Sequence, residues 1–292
     1  MIGTDAMSEF FIPQITADGS ATFYSDEFGE AFHSNFGARQ EAELKFVAPT
    51  ELEKKAHQPK VRLLDVCYGL GYNTGTALAK IWAINPRCYV EIVALEINAN
   101  VAPSAIAHNL HIDWCEPIPH ILTALATKHQ VQTASCHASL FIGDARQTIK
   151  LVPSDWRADA IFLDPFSPPK CPQLWTVEFI KLVTSCLSND GILATYSAAG
   201  AVRTALIAAG LHIGSTLPIG RRSPGTIAAH YELPPLSLLE QEHLLTRAAI
   251  PYRDPHLNDL AAVILQRRQQ EQKTSLLERS THWRKHTQFS KM

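Results

Sequence analysis

Four short apolar segments of this chain end at or next to an acidic residue, and acids in such positions can bind a ligand. The residues are Asp65, Glu96, Asp144 and Asp164. Because the carboxyl ends of parallel strands meet at one edge of a sheet, we expect all four at a single site. Carboxylates can accept hydrogen bonds from ribose hydroxyls and from an adenine amine. We assign the ribose to Glu96, and the adenine to Asp144 with its neighbour Gly143.

A glycine-rich turn follows the first of these segments, in the order Asp65-Val66-Cys67-Tyr68-Gly69-Leu70-Gly71-Tyr72-Asn73. Glycines between a strand and a helix let backbone N–H groups approach a ligand closely. Thr74 stands where a dinucleotide fingerprint has its third glycine, so the pattern favours an adenosine ligand without a pyrophosphate. S-adenosylmethionine fits that description. We predict that Asp65, Gly69, Gly71 and Asn73 contact it.

The most specific string is DPFSPPKCPQLWT, which begins at Asp164. It has four prolines within nine residues, so the loop is restricted to extended conformations. A rigid loop at the end of a strand suits a site that must aim an amine lone pair at a methyl group. Amine methyltransferases often carry a short polar-Pro-Pro-aromatic loop at this point. We assign amine binding and deprotonation to Asp164, and an aromatic wall to Phe166.

The segments that carry these residues are typical of an α/β fold. Stretches with helical composition separate the apolar runs, so the pattern predicts a doubly wound, mostly parallel sheet. Two strands around RRSPG after Gly210 predict a terminal antiparallel hairpin, which indicates the seven-stranded class I methyltransferase variant. We predict a hairpin and helix extension over 1–60, a Rossmann-like core over 61–232 and a helical extension with a basic tail over 233–292. The five core runs span 61–66, 90–97, 139–145, 159–166 and 191–197.

Composition excludes several protein classes. The chain has 292 residues, of which 46% are hydrophobic, and its net charge of −2 argues against a wholly basic nucleic-acid coat. No apolar run approaches the ~18 residues that span a bilayer, and we expect no signal peptide. The six cysteines form no CxxC pair, so we expect reduced thiols, a cytoplasmic protein and no metal site.

On these residues the chain resembles the methyltransferase half of the MnmC-type tRNA modification enzymes and their stand-alone relatives. The resemblance covers about residues 22–256, and the DPFSP…Pro172…Leu174-Trp175-Thr176 string is its specific part. It implies S-adenosylmethionine-dependent methylation of the amine of 5-aminomethyl-(2-thio)uridine at the tRNA wobble position. Nothing in the chain resembles the oxidase half. Further matching positions are Tyr24-Ser25, Gly29-Glu30, His33-Ser34, Gly37-Ala38, Glu41, the Gly69 to Asn73 turn, Glu96, Gly143-Asp144, Gly191 and Tyr252 to Pro255.

The resemblance also implies roles outside the strand ends. Tyr24 would close over the cofactor, while Ser25 and His33 would close over the acceptor, and we predict substrate contacts for Lys170 and Trp175. The chain departs from the family at two positions. Cys67 stands where the first turn glycine is expected, and its side chain would crowd the ligand. Cys171 stands where an asparagine is expected.

Basic side chains near the chain end and in the hairpin loop are candidates for tRNA contact. Residues 265–292 hold seven basic and two acidic side chains, a pattern typical of either a phosphate-binding helix or a solvated one. Arg221 and Arg222 lie nearer the expected acceptor entrance, and we favour them. Alternatives are an aminopropyltransferase-like enzyme, a dinucleotide oxidoreductase and a non-catalytic RNA-binding module. No oligomeric state is predicted. The seven basic residues are Arg267, Arg268, Lys273, Arg279, Arg284, Lys285 and Lys291.

Overall fold

The computed structural model describes residues 11–218, 224–281 and 283. Residues 11–55 form two small hairpins and a helical segment. Residues 23–34 contain the hairpin that we predict for the N-terminal extension, whereas the hairpin before them is not predicted, because its two-residue strands give no readable alternation. These elements are β1 (Gln14–Ile15), β2 (Ala21–Thr22), β3 (Tyr24–Ser25), β4 (Glu30–Ala31), α1 (Ala38–Glu41), a π-helix (Ala42–Val47) and α2 (Leu52–Lys55).

A central sheet of eight strands follows, with helices on both faces. The predicted apolar runs correspond to five of these strands, and their bounds differ from the prediction by up to four residues. The strands are β5 (Lys60–Val66), β6 (Tyr89–Glu96), β7 (Gln130–Gln132), β8 (Cys136–Ile142), β9 (Ala158–Leu163), β10 (Leu187–Thr195), β11 (His212–Ser215) and β12 (Thr226–Ala229). The helices that pack on or beside the sheet are α3 (Tyr72–Ile84), α4 (Val101–Ala107), α5 (Ile118–Lys128), α6 (Ala145–Thr148), α7 (Val177–Ser185) and α8 (Gly200–Ala208).

The spatial order of the strands is β11-β12-β10-β9-β5-β6-β8-β7. Strands β10, β9, β5, β6 and β8 are parallel, and β11 and β12 form the predicted antiparallel hairpin. The described sheet has one strand more than the predicted seven. The extra strand, β7, pairs antiparallel with the edge strand β8. It is short and polar, so the sequence gives no apolar run there.

Both faces of the sheet are buried, which explains the continuous apolar runs. Successive residues of β5 point to opposite sides: Leu63 packs in the core beneath α3, and Leu64 packs in the core on the α7 side. A third apolar cluster joins the N-terminal segment to the turn before α3, where Phe23 packs with Leu70 and Tyr72. The N-terminal segment is therefore held against the carboxyl ends of the strands.

The C-terminal segment docks on the α7 side. A short helix follows Ser237 and begins with a capping box between Ser237 and Glu240. Among the described residues, no helix is long and apolar enough to cross a membrane. The bounds of the three predicted segments remain predictions. The C-terminal elements are α9 (Leu238–Leu244), a 3-10 turn (Arg247–Ala249) and α10 (Ala261–Thr274).

Candidate active site

A cavity of about 660 Å³ opens at the carboxyl ends of β5, β6, β8 and β9. This is the edge at which open parallel sheets bind ligands, and the volume suits a ligand of nucleoside size. Three of the four predicted acids, Glu96, Asp144 and Asp164, line it. The structure therefore brings three of the four acids to one cavity.

The turn after β5 needs left-handed backbone at three positions: Cys67 (φ 72°), Gly69 (φ 55°) and Gly71 (φ 86°). Gly69 lines the cavity, as predicted. Gly71 does not: a Cβ at this position would lie 2.6 Å from the Tyr68 hydroxyl, so glycine serves packing within the turn. Cys67 adopts a conformation that side chains disfavour, and its thiol lines the cavity. Burial raises the pKa of that thiol well above its usual value.

Glu96 is held at the end of β6 by two backbone N–H groups. Gly69 donates to Oε2 and Asn98 donates to Oε1, each at 2.9 Å. The backbone N–H of Ile97 also stabilises the carboxylate, and because each carboxylate oxygen can accept two hydrogen bonds, Glu96 keeps acceptor capacity for a ligand. Two acceptors on one fixed carboxylate match the two adjacent hydroxyls of a ribose. Burial raises the pKa of Glu96, while the backbone donors lower it.

Asp144 lines the cavity but is already heavily engaged. Its carboxylate accepts from the backbone N–H of Arg146 and from the Arg146 guanidinium, with a shortest contact of 2.6 Å. The same guanidinium binds the fully buried Asp254 at 2.8 Å. The predicted contact between Asp144 and an adenine amine therefore competes with Arg146. The sequence analysis did not assign Arg146 to the site. It did include Asp254, the second partner of Arg146, in the Tyr252 to Pro255 string that matches the family.

Asp65 is fully buried and does not line the cavity. Its Oδ2 accepts a hydrogen bond from the Thr74 hydroxyl at 2.7 Å, so the side chain ties β5 to the start of α3. Burial and the nearby Glu96 carboxylate together raise the pKa of Asp65 to about 7, although the Thr74 hydrogen bond lowers it. The structure thus gives Asp65 a supporting position beneath the turn instead of the predicted contact with the ligand.

Asp164 follows β9 directly and faces the cavity. Asn73 donates to its Oδ2 at 2.9 Å, and Oδ1 has no hydrogen bond within the part of the chain that the structure describes. Burial raises the pKa of Asp164 well above its usual value. Asn73 lowers it, and the carboxylates of Glu41 and Asp65 raise it again. A desolvated carboxylate with a free oxygen attracts a cationic amine and can accept its proton.

Aromatic rings form the wall beside Asp164. Phe166 lines the cavity, stacks on Phe28 with ring centroids 4.4 Å apart, and meets Phe32 edge-on at 5.1 Å. Trp175 was predicted to touch substrate, but it is fully buried and does not line the cavity. Its indole N–H donates to the Phe166 carbonyl at 2.8 Å. The Trp175 side chain fills the core beneath the loop that carries Phe166. Trp175 therefore fixes this loop through its packing and its hydrogen bond.

The β3–β4 hairpin covers one side of the cavity. Tyr24, Ser25 and His33 all line the cavity, as the resemblance implies. Glu30 fastens the hairpin to the Asp164 loop, since its carboxylate accepts from the Ser167 backbone at 3.0 Å and from the Ser167 hydroxyl. Burial lowers the pKa of His33 to about 4, so this imidazole is neutral at physiological pH. Lys170 is exposed and does not line the cavity.

An ion pair that the sequence analysis did not assign also lines the cavity. Lys45 Nζ donates to Glu41 Oε1 at 2.8 Å, and both side chains are less than 10% exposed. The four-residue spacing of Glu41 and Lys45 was readable as a helical ion pair. The sequence does not indicate that this ion pair faces the cavity, because its orientation depends on how the helical segment packs against the sheet.

The predicted tRNA contacts are only partly described. Arg221, Arg222, Arg284, Lys285 and Lys291 lie outside the described residues. Two basic residues of α10 serve internal docking instead of binding phosphate. Arg267 binds Asp259 at 2.7 Å, and Arg268 donates to the carbonyl oxygens of Ile250 and Ala248 while covering the Tyr252 ring at 4.5 Å. Sequence composition cannot distinguish these roles from a free basic surface.

Comparisons with known proteins agree with this geometry. A family profile described as S-adenosyl-L-methionine-dependent methyltransferase matches residues 108–231. The crystal structure of MNMC2 from Aquifex aeolicus is similar with a TM-score of 0.80 and 32% identity, over 92% of this chain and 87% of that one. An uncharacterized protein of Methanocaldococcus jannaschii is 30% identical over 83% of this chain and 67% of its own length.

Longer relatives carry a more specific name. The tRNA 5-methylaminomethyl-2-thiouridine biosynthesis bifunctional protein MnmC of Azoarcus sp. is 31% identical over 66% of this chain. The match covers 31% of that protein, so the chain spans about a third of the length of this bifunctional relative.

Proposed function

The chain belongs to the MnmC-like family of S-adenosyl-L-methionine-dependent methyltransferases, and on that premise we propose that it methylates an aminomethyl group on tRNA. The acceptor we propose is 5-aminomethyl-(2-thio)uridine at the wobble position, and we propose the cytoplasm as the place of action. The name of the bifunctional relatives supports this choice, because a 5-methylaminomethyl product follows from N-methylation of a 5-aminomethyl group.

The residues of the cavity fit the cofactor S-adenosyl-L-methionine, which when bound supplies an electrophilic methyl group on a sulfonium. The fit rests on Glu96, whose carboxylate keeps acceptor capacity after binding Gly69 and Asn98. Tyr68 is among the residues that line the cavity, and its hydroxyl is buried without a hydrogen-bond partner among the described residues. Glu96 would hold the ribose, while Gly69 leaves room for the ligand beside the turn.

The free carboxylate oxygen of Asp164 in the cavity is the observation that supports the proposed reaction most strongly. An alkylamine is mostly protonated at neutral pH and is then no nucleophile. The free Oδ1 of Asp164 accepts the proton of the ammonium and leaves the nitrogen lone pair directed into the cavity. Asn73 holds the other oxygen, so the carboxylate keeps its orientation. The raised pKa of the carboxyl group brings its proton affinity closer to that of the amine.

The aromatic wall completes the arrangement. Phe166 stacked on Phe28 forms an apolar wall beside Asp164. The rigid loop and the Trp175 hydrogen bond limit the movement of this wall. Positioning of the two reacting groups then supplies most of the rate enhancement. We propose that the acceptor nucleotide enters beneath the β3–β4 hairpin, in contact with Ser25 and His33, while Tyr24 closes over the cofactor.

The test is methyl transfer to tRNA by the parent protein and by Asp164→Asn. Purified tRNA that carries 5-aminomethyluridine is incubated with labelled cofactor, and its nucleosides are analysed by mass spectrometry. We expect the parent to form the 5-methylaminomethyl nucleoside. Asp164→Asn should bind the cofactor normally and turn over about 100-fold more slowly or worse, because it lacks the proton acceptor.

The matched control is Asp159→Asn, at the other end of the same strand. Asp159 is partly buried and accepts from the backbone of Arg62 at 2.7 Å, but it does not line the cavity. This variant should retain parental turnover. If the parent binds the cofactor but methylates no tRNA, the proposed function is wrong and a non-catalytic RNA-binding role gains support. If Asp164→Asn keeps the parental rate, the role of Asp164 is wrong.

A further inference from the structure

The Glu41–Lys45 ion pair lies in the wall of the cavity at the Asp164 end. The charges of both residues act on the Asp164 carboxyl group, Glu41 raising and Lys45 lowering its pKa. Each oxygen of Glu41 has a partner: Oε1 accepts from Lys45, and Oε2 accepts from the Ser34 backbone at 2.8 Å. The mechanism described above uses neither side chain.

Lys45 keeps unused hydrogen-bonding capacity. An ammonium group has three N–H donors, and within the described ranges its acceptor is the single oxygen of Glu41. Lys45 is only 4% exposed, so water satisfies little of the remainder. Burying such a pair costs several kcal/mol of desolvation per ion, so a contribution to folding stability alone does not explain why the pair is there. Lys45 also lies on a π-helix, a feature frequent at functional sites.

We propose that Lys45 determines acceptor specificity by donating a hydrogen bond to a carbonyl oxygen next to the reacting amine. The inference rests on the proposed function, because it places that amine at Asp164. In a 5-aminomethyluracil, the aminomethyl group and the O4 carbonyl are on neighbouring ring carbons. A carboxylate and an ammonium group in one cavity wall offer complementary partners for this cation and this oxygen.

The same donor discriminates against other amines. A polyamine presents further ammonium groups and no carbonyl oxygen, so it cannot accept the hydrogen bond that Lys45 offers. The pair thus favours an acceptor that carries one amine with an adjacent oxygen, and it disfavours the substrates of an aminopropyltransferase.

A double comparison of enzyme and substrate tests the inference. The probes are two anticodon stem-loop RNAs, one with 5-aminomethyluridine at the wobble position and one with the matching nucleoside that lacks the 4-oxygen. With the parent protein, loss of the oxygen should lower kcat/KM by about tenfold to a hundredfold, the range for a hydrogen bond to a charged group. With Lys45→Met the two RNAs should react at similar rates.

Two further variants keep the test decisive. Glu41→Gln with Lys45→Met leaves no unpaired buried charge, and it replaces Lys45→Met if the single variant fails to fold. Lys80→Met is the control, because Lys80 binds Glu43 and Glu53 outside the cavity and its loss should preserve the parental preference. Cofactor binding, measured by calorimetry, should be unchanged in every variant.

The outcomes separate the two claims. If the parent methylates neither RNA while binding the cofactor, the proposed function is wrong and the inference falls with it. If the parent methylates both RNAs equally well, or if Lys45→Met slows both by the same factor, only the inference about Lys45 is overturned.

Discussion

Replacing Glu96 by glutamine should weaken cofactor binding by a predictable amount. The carboxylate is fixed by Gly69 on Oε2 and by Asn98 on Oε1, and both oxygens are acceptors that a ribose can use. An amide of the same shape has one oxygen and one NH₂ group. Whichever way it turns, the NH₂ group faces a backbone N–H, and one of the two ribose hydroxyls loses its acceptor.

The expected magnitude follows from that loss. One hydrogen bond to a charged acceptor contributes about 1.5–3 kcal/mol. The dissociation constant of the cofactor should therefore rise by about tenfold to a hundredfold in Glu96→Gln. Glu96→Ala removes both acceptors and should bind still more weakly. The tRNA concentration at half-maximal rate should not change, because we assign Glu96 to the ribose of the cofactor.

Isothermal titration calorimetry with S-adenosyl-L-methionine measures this directly. Glu91→Gln is the matched control, because Glu91 is on the same strand but pairs with Lys60 and Arg62 at the opposite end of the sheet. It should bind the cofactor with parental affinity. If Glu96→Gln is folded and its dissociation constant stays within about twofold of the parent, the assignment of Glu96 to the ribose is wrong.

Two further substitutions test the turn and its support. Cys67→Gly should raise the free energy of unfolding, measured in urea titrations, by about 0.5–1 kcal/mol. The reason is that glycine relieves the left-handed backbone strain at this position by more than it adds to the conformational entropy of the unfolded chain. A lower free energy of unfolding would contradict this. Burial raises the pKa of Asp65 in the folded protein to about 7, which lies above the value in the unfolded chain. The folded state therefore has its full stability below about pH 4, where this carboxyl is neutral in both states, and it loses stability as the pH rises towards 7. In Asp65→Asn this loss of stability should vanish. The free energy of unfolding of the variant should rise relative to that of the parent by about 1.4 kcal/mol per pH unit across that window. A difference between variant and parent that does not change with pH would refute the assignment.

The sequence by itself determined the strands and the edge of the sheet at which the site lies. A buried parallel strand is a short apolar run, and its carboxyl end is marked by the polar residue that follows, so local pattern is enough. This placed Glu96, Asp144 and Asp164 together, and the proline-rich string after Asp164 indicated a rigid loop with Phe166 in the wall. The resemblance to a known family added the hairpin residues that cover the cavity.

Only the tertiary structure decided which side chains reach the cavity and which support it. Asn73 meets Asp164 across 91 residues of sequence, and Arg146 meets Asp254 across 108. Such contacts depend on how helices cross and pack over the sheet, which no local period encodes. The same reason explains why Trp175 proved to be core, why Arg268 docks a helix, and why Lys45 faces the cavity. A side chain's type fixes the chemistry it can do, and long-range packing fixes whether a ligand can reach it.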